Sequence, residues 1–305
     1  MLGAIKKRLL YVYFFFRNSW ILWFYILNRS ARSLQKKQQL PLTPEGTRIL
    51  NDLVRDGIAS TTLDALLSDS RLASEMLTWI QDKTPVENTS SKKKFLREYW
   101  PITPPLDLSN PYVQFGLHEN VLGIANAYMG MWTRFVQFDL RKTLPTPDSG
   151  PVQSQRWHRD PEEKRMLKAF VYLNDVDMDA GPFTFAIKST YGNAYGHLFP
   201  QRPPEGSYPL EEKVREVIPA ADIKAMMGKA GTVVLCDTSG LHFGGRAKTK
   251  ERIMLTVSYS SPAHTEGARY QWTESTPLEI KHLSPQAQFA LSGRKLGQGI
   301  SPMHA

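Results

Sequence analysis

The sequence predicts an α+β fold, with helices in the first part of the chain and a β-sandwich or jelly-roll barrel after them. Apolar residues recur at helical spacing between residues 43 and 80, and short β-forming runs separated by Gly, Pro and Asp turns follow from Trp132. The chain has no internal repeat, which excludes a solenoid. With 305 residues, 41% of them hydrophobic and 22% charged, we expect one large domain with a sizeable core.

The predicted helices begin with the segment that follows residue 42. Thr43 suits the N-cap position and Pro44 the first position of a helix, and Asp56-Gly57 is typical of a helix end. A second helical stretch is predicted over residues 61–80 and a short one over residues 120–131.

The strands are predicted from runs rich in β-branched and aromatic residues at 134–139, 166–173, 183–187, 231–236 and 252–259. One of these runs contains Cys236, the only cysteine of the chain. A single thiol excludes an intramolecular disulfide and is consistent with a reducing compartment. Its apolar surroundings favour an inert, buried thiol over a nucleophile.

Residues 1–40 hold almost all of the net charge. They contain eight Lys and Arg and no Asp or Glu, so eight of the nine net positive charges belong to this segment. A phosphate-binding face would need basic residues spread over the folded domain. We therefore expect no nucleic-acid partner. The predicted organisation is a basic, aromatic-rich, membrane-associating leader and linker over residues 1–40, followed by the folded domain over residues 41–305.

Residues 9–27 are mostly apolar and include nine aromatic residues. The segment is just long enough to span a bilayer as a helix. However, Arg17 lies at its centre, where a charge costs roughly 2.5–3.5 kcal/mol. Basic residues flank both ends, which favours a segment lying on an anionic leaflet. A single span and a core or partner-binding helix stay open as alternatives, and no small-residue cleavage site supports a signal peptide.

His158-Arg159-Asp160 and His242 form the candidate metal site. Side chains two residues apart on a strand point the same way, so His158 and Asp160 can face one barrel interior. His242 follows a buried-looking strand and stands among glycines, which allow backbone to approach a small site closely. Two imidazoles and one carboxylate leave coordination positions open, as in iron(II) oxygenases. The remaining histidines lack a comparable setting: His118, His197, His264, His282 and His304.

Arg252 strengthens this interpretation. It lies ten residues after His242, at the start of a predicted strand. An Arg that points into a barrel there can bind the carboxylate of a dicarboxylate co-substrate bidentately. The alternative, an exposed Arg at a strand end, is disfavoured by the metal motif beside it.

The order His-x-Asp, about eighty residues, His, ten residues, Arg resembles the phytanoyl-CoA dioxygenase family. The opening 42–46 with Asp56-Gly57, and the strand 168–176 followed by 180–183, add to this resemblance, which covers roughly residues 42–262. Two features depart from the family. Residues 187–190 replace its usual Pro-Gly-Ser-His, and the leader is not a usual family element.

The resemblance implies a double-stranded β-helix core, which is a cupin-like jelly roll, together with Fe(II), 2-oxoglutarate and O2. It implies that the catalytic iron ligands are His158, Asp160 and His242, and that 2-oxoglutarate contacts Arg252, Gln155 and Gln137. Related halogenases carry a small residue in place of the ligand Asp, so Asp160 favours hydroxylation.

The expected function is an Fe(II)- and 2-oxoglutarate-dependent dioxygenase that hydroxylates a lipid-linked, acylated or glycolipid substrate. We expect it at the cytoplasmic side of a membrane, held peripherally or by a single N-terminal anchor through residues 9–27. A soluble cytoplasmic enzyme acting on a small molecule is the second expectation. Two other classes remain: a membrane-tethered β-helix binding protein without turnover, and a metal-binding cupin of different chemistry.

Overall fold

The structure, a computed structural model, describes residues 2–87, 94–101, 103–146, 150–203 and 206–292, with side chains from Arg8 onwards. Its helices are α1 (Leu2–Arg17), α2 (Arg29–Lys37), α3 (Pro44–Asp56), α4 (Leu63–Leu67), α5 (Ser70–Trp79), α6 (Pro111–Leu117), α7 (Glu119–Met129), α8 (Glu211–Val217), α9 (Thr276–Glu279) and α10 (Pro285–Leu291). A π-helical segment covers Ile21–Leu27, and short 3-10 helices cover Gln153–Gln155, Ala220–Asp222 and Ile280–His282.

The strands are β1 (Ile58–Thr62), β2 (Val86–Glu87), β3 (Leu96–Glu98), β4 (Pro105–Leu106), β5 (Arg134–Thr143), β6 (Leu167–Tyr172), β7 (Phe183–Ala186), β8 (Ile223–Met226), β9 (Thr232–Asp237), β10 (His242–Gly244), β11 (Arg252–Ser260) and β12 (Gln271–Trp272). The major sheet has the order β1-β9-β6-β11-β5-β3-β2, and the minor sheet has the order β10-β7-β8. All pairs in both are antiparallel, and one cavity is lined from both sheets. The predicted α+β fold with a double-stranded β-helix core is confirmed.

Alternation along the strands of the major sheet separates a helix-covered face from a cavity face. On β6, Leu167 and Ala169 are buried in the main hydrophobic core with the helices, whereas Lys168 and Phe170 line the cavity. Successive side chains of a strand point to opposite faces, so a single strand supplies both surfaces. Strand β11 repeats the pattern, with Leu255 and Val257 in the core and Met254, Thr256 and Ser258 at the cavity.

The first predicted helix is confirmed as α3. The Thr43 side chain accepts a hydrogen bond from the Gly46 backbone N, and Gly57 ends the helix at φ 81°. The single helical stretch over residues 61–80 is wrong, because β1 pairs with β9 at its start and Ser68, at φ 54°, separates α4 from α5. The five predicted strand runs are confirmed as β5, β6, β7, β9 and β11.

The leader packs on the domain through buried polar contacts. Arg17 is 2% exposed, and its Nη2 donates to Glu163 Oε1 at 2.9 Å. Nε1 of the fully buried Trp23 donates to the same oxygen at 3.0 Å. Trp23 and Ala31 belong to the main hydrophobic core. The boundary at residue 40 stays a prediction, and buried contacts connect the residues on its two sides.

A turn at Asn18 and Ser19 separates α1 from the next helical segment. None of the described helices combines the length and the apolar character that crossing a bilayer requires. Apolar side chains are nevertheless exposed in large number along this part of the chain. We define the exposed leader face by Leu9, Tyr11, Val12, Tyr13, Phe15, Phe16, Ile21, Tyr25, Ile26 and Leu27.

Candidate active site

His158 and His242 lie opposite each other in an antiparallel bridge. The backbone N of each donates to the carbonyl oxygen of the other, at 2.9 and 3.0 Å, and the N of Asp160 donates to Thr238 O at 2.9 Å. The extended backbone therefore turns His158 and Asp160 to one side and Arg159 to the other. The guanidinium of Arg159 donates to carbonyl oxygens of the surrounding loops. The shared orientation predicted for the His-x-Asp pair is present.

Both imidazoles turn their Nε2 atoms toward Asp160. His158 Nδ1 lies 2.8 Å from the Arg156 carbonyl oxygen, and His242 Nδ1 lies 3.0 Å from that of Gly240. Because a carbonyl oxygen only accepts, each Nδ1 carries a proton, and in the neutral ring Nε2 keeps its lone pair. The Nε2 atoms of His158 and His242 are 3.7 and 3.8 Å from Asp160 Oδ1. The three ligand atoms lie within 4.8 Å of one another, a spacing that suits one shared metal ion.

Lys168 orients the carboxylate of this trio. Its Nζ donates to Asp160 Oδ2 at 2.6 Å, which leaves Oδ1 facing the imidazoles. Burial opposes ionisation of Asp160, but the charge of Lys168, together with the charged forms that His242 and His158 adopt at low pH, outweighs it and holds the pKa of Asp160 below its usual range. Burial, and then the neighbouring His158, lower the pKa of His242 to about 3. At neutral pH the trio thus offers a carboxylate and a neutral imidazole, the protonation states that metal binding requires.

Arg252 is a buried cation at the first position of β11. It is 5% exposed, and its Nη atoms make only long contacts of 3.4 Å, to Gly245 O and Thr143 Oγ1. Its Nε has no hydrogen-bond partner, and no described Asp or Glu forms an ion pair with it. Burial lowers the pKa of Arg252. Burying a guanidinium without a carboxylate partner costs free energy. We therefore expect the Arg252 side chain to bind an anionic ligand.

Gln155 and Gln137 line the same cavity as the trio and Arg252. Gln155 ends the 3-10 helix Gln153–Gln155, its Oε1 accepts from the Val152 backbone N at 3.2 Å, and its Nε2 has no partner among the described residues. Gln137 lies on β5, and its Nε2 donates to Asp139 Oδ2. The structure therefore brings all six sequence-derived candidates to one cavity, while the assignment of both glutamines to 2-oxoglutarate stays a prediction.

The cavity has a volume of about 480 Å³, and its lining includes charged residues that the sequence did not identify. Additional lining residues are Asp139, Arg141, Glu162, Lys168, Tyr208, Ser258, His264, Glu266 and Arg269. Burial, and then the Asp160 charge, raise the pKa of Glu162 to about 7. His264, which stands in no recognisable sequence motif, is 8% exposed and also lines this cavity. The sequence signal that could have found such residues is a charged residue within an otherwise apolar strand. Lys168 on β6 is the clearest example.

The donor set suits a small divalent metal with open coordination positions. Two imidazole nitrogens and one carboxylate oxygen converge at the wall of the cavity. Arg252 lines the same cavity, so an anionic group held by Arg252 shares the cavity with the trio. The residues present therefore fit both an iron(II) ion and a dicarboxylate.

Comparison with the solved structure of SnoN supports the fold. The epimerase SnoN, in complex with Fe3+, alpha ketoglutarate and nogalamycin RO, matches with a TM-score of 0.51 and 15% identity, over 72% of this chain and 84% of SnoN. HygX from Streptomyces hygroscopicus matches with a TM-score of 0.45 and 17% identity, over 72% of this chain and 87% of its own length. EctD from S. alaskensis matches with a TM-score of 0.47 and 18% identity, over 81% and 86%. No protein-family model and no curated protein matches the chain.

Proposed function

We propose that this chain is an Fe(II)- and 2-oxoglutarate-dependent dioxygenase related to the phytanoyl-CoA dioxygenase family. The observation that carries the proposal is one cavity in which the His158, Asp160 and His242 ligand atoms converge and Arg252 is buried without a carboxylate partner. SnoN, which has a similar fold, is an epimerase whose structure holds Fe3+ and alpha ketoglutarate.

His158, Asp160 and His242 are the proposed iron ligands. The carbonyl contacts of both Nδ1 atoms fix the ring orientations, and the Lys168 ion pair fixes the carboxylate. Contacts of this kind around metal ligands fix their orientation and tune the metal. The carboxylate of Asp160 also favours hydroxylation over halogenation, which needs a small residue there.

Arg252 is the proposed anchor for the distal carboxylate of 2-oxoglutarate. Its guanidinium fork can bind a carboxylate bidentately, and that pairing would relieve the cost of its burial. Gln155, whose Nε2 is unpaired, and Gln137 are proposed as further contacts of the co-substrate.

When bound, Fe(II) with 2-oxoglutarate and O2 supplies the oxidising chemistry that removes hydrogen from an unactivated carbon. The role of this chain is to hold the ligands, align the dicarboxylate through Arg252 and position the substrate. Phe170 and Phe183 line the cavity with two aromatic rings that contact each other. They would limit the access of water to the reacting carbon.

The reacting portion of the substrate is proposed to be polar. Asp139, Glu162, Glu266 and Arg269 line the cavity, and an acyl chain packed against them would remove charged groups from water without offering hydrogen bonds in return. Among the lipid-linked, acylated and glycolipid substrates, the hydroxyl-rich sugar portion of a glycolipid suits this lining best. A small polar metabolite is the alternative if the enzyme does not meet membranes.

Membrane attachment is proposed through the exposed leader face, with the enzyme on the cytoplasmic side. Phe15 is 74% exposed and Phe16 58%, while Arg29 and Lys36 are exposed on the following segment. A large exposed apolar patch marks an interaction surface. Aromatic residues beside basic ones suit the boundary between headgroups and acyl chains of an anionic leaflet.

The test is succinate formation by purified full-length protein supplied with Fe(II), 2-oxoglutarate and O2. We expect uncoupled succinate production that disappears in Asp160→Ala and persists in His282→Ala, a change at an exposed histidine. Binding of 2-oxoglutarate without any succinate would support the non-catalytic binding protein. Metal binding without 2-oxoglutarate binding would support a cupin of different chemistry.

A further inference from the structure

A second cavity, of about 1050 Å³, lies between α1 and the domain. Tyr11, Val12, Phe15 and Phe16 form one wall, and Tyr191 and the loop near residue 200 contribute to the other. The volume slightly exceeds the range of about 300–1,000 Å³ that is usual for ligand pockets. The cavity is thus large enough for an elongated molecule and is mostly apolar on the helix side.

This second cavity is separate from the candidate active site. The two cavities share no described lining residue. Arg159 lines the second cavity, whereas its neighbours His158 and Asp160 line the first, because alternate residues of extended backbone face opposite sides. A ligand in the second cavity would therefore not be the molecule that is oxidised.

The charges around the second cavity favour an anion. Its described lining contains Arg159, Lys164 and Arg202 and no Asp or Glu. The Arg159 guanidinium is occupied by carbonyl oxygens, so Lys164 and Arg202 are the available cations. Neither forms an ion pair with a described residue, and Lys164 Nζ lies 3.8 Å from the ring centroid of Tyr191. An anionic group here would meet two positive charges beside an apolar wall.

The apolar wall is continuous with the exposed leader face. Val12 is 53% exposed and Phe16 58%, yet both also line the cavity. If α1 lies on a bilayer, the cavity opens where acyl chains are available. A second copy of this chain fits less well, because residues 1–40 carry only basic charges and two such segments would repel each other.

We infer that the cavity beneath α1 binds one acyl chain of an anionic phospholipid taken from the membrane, with its phosphate near Lys164 and Arg202. Burial, and then Arg159 and Arg165, lower the pKa of Lys164, and a phosphate beside it would stabilise its charged form. The inference extends the membrane attachment proposed above, since it assigns a lipid site that attachment alone does not require.

The test measures lipid retention separately from membrane docking. Full-length protein is incubated with mixed micelles of dodecyl maltoside and phosphatidylglycerol or phosphatidylcholine, and the complexes are examined by native mass spectrometry. We expect one phosphatidylglycerol per chain and little retained phosphatidylcholine. Val12→Trp, which fills the cavity, should lose the lipid. Tyr13→Trp is the matched control, because Tyr13 is 49% exposed on the same helix and does not line the cavity.

A charge reversal provides a second variant that preserves the helix. Arg202→Glu should reduce phosphatidylglycerol retention, whereas Lys281→Glu, at another exposed residue, should not. Equal retention by wild type and Val12→Trp, equal retention of both lipids, or no retention by wild type would overturn the inference. Flotation with vesicles is measured independently. A protein that floats but retains no lipid would support the proposed membrane attachment and exclude this lipid site.

Discussion

At the scale of single residues, the orientation of the proposed metal ligands is fixed by groups outside the trio. Lys168 donates to Asp160 Oδ2 at 2.6 Å, so Lys168→Met removes the contact that directs Oδ1 toward the imidazoles. We expect metal affinity to fall by about 10–100-fold, as for other residues that orient metal ligands. Titration with Co(II), followed by its absorption spectrum, measures this change. Lys224→Met, at an exposed lysine, is the control, and equal affinities would show that Lys168 does not orient the ligand.

Removing any one of the three proposed ligand side chains should have a larger effect on metal binding. His158→Ala, Asp160→Ala and His242→Ala should each lose stoichiometric metal binding, since each leaves only two of the three converging donor atoms. Equilibrium dialysis with Ni(II) measures the loss without depending on turnover. His282→Ala should bind a full equivalent. A full equivalent of Ni(II) in all three ligand variants would place the metal site elsewhere.

Arg252 is expected to affect the co-substrate and not the metal. Arg252→Ala should weaken 2-oxoglutarate binding by about 3–5 kcal/mol, the usual cost of removing one partner of a buried charge pair. Calorimetric titration of the Ni(II)-loaded protein with 2-oxoglutarate gives the affinity, while Ni(II) binding should stay unchanged. Arg252→Lys should retain only part of the 2-oxoglutarate affinity, because an ammonium cannot bind a carboxylate bidentately. Unchanged 2-oxoglutarate affinity would direct the search to Arg246.

The sequence identified the candidates whose spacing matches a known pattern, and missed those whose position depends on sheet geometry. His158, Asp160, His242 and Arg252 share one cavity as expected. Lys168 was not selected, because strand alternation tells which residues share a face but not which face meets the ligands. Contacts between distant strands decide that, and they have no local signature.

At the scale of elements, local signals were sufficient where the contacts are local. Helix α3 has both its N-cap Thr43 and its C-terminal Gly57 in the sequence, and both act as predicted. Strand β1 was missed because Ile58–Thr62 is defined by pairing with β9, far along the chain. Helical spacing of the leucines that follow concealed this strand and the break at Ser68.

The leader contributes to the stability of the domain. Arg17 and Glu163 form an ion pair whose side chains are 3% and 0% exposed, and Trp23 and Ser261 also donate to the Glu163 carboxylate. Arg17→Ala should therefore lower the free energy of unfolding by about 3–5 kcal/mol, since it leaves a buried carboxylate short of its cation. Urea denaturation measures this loss.

A matched control comes from the same leader. Arg32 stacks on Phe24 and Tyr25 and is only partly buried, so Arg32→Ala should cost far less than Arg17→Ala. Equal unfolding curves for wild type and Arg17→Ala would mean that the leader is not held by this pair. The ion pair also implies that deleting residues 1–40 would destabilise the loop that follows Asp160.

At the scale of the whole molecule, the leader is held to the domain on one side and exposes apolar residues on the other. Glu163 anchors Arg17 and Trp23, while Phe15 and Phe16 remain 74% and 58% exposed. The sequence could not separate these roles, because buried and exposed aromatic residues look alike in a basic, apolar segment. In the structure the two groups of aromatic residues differ in burial, and the exposed group is the one that a membrane could contact.

Flotation with anionic vesicles tests the exposed side. Phe15→Ser with Phe16→Ser should strongly reduce binding to vesicles of phosphatidylcholine and phosphatidylglycerol, because both side chains lose their apolar contact with the bilayer. High salt should also weaken binding, since each basic residue near the surface contributes about 1 kcal/mol that ions screen. Val217→Ser with Leu278→Ser, at exposed apolar residues of the domain, is the control and should float like wild type. Equal flotation of all three proteins, or flotation that resists salt in the double phenylalanine variant, would exclude the exposed leader face as the attachment site.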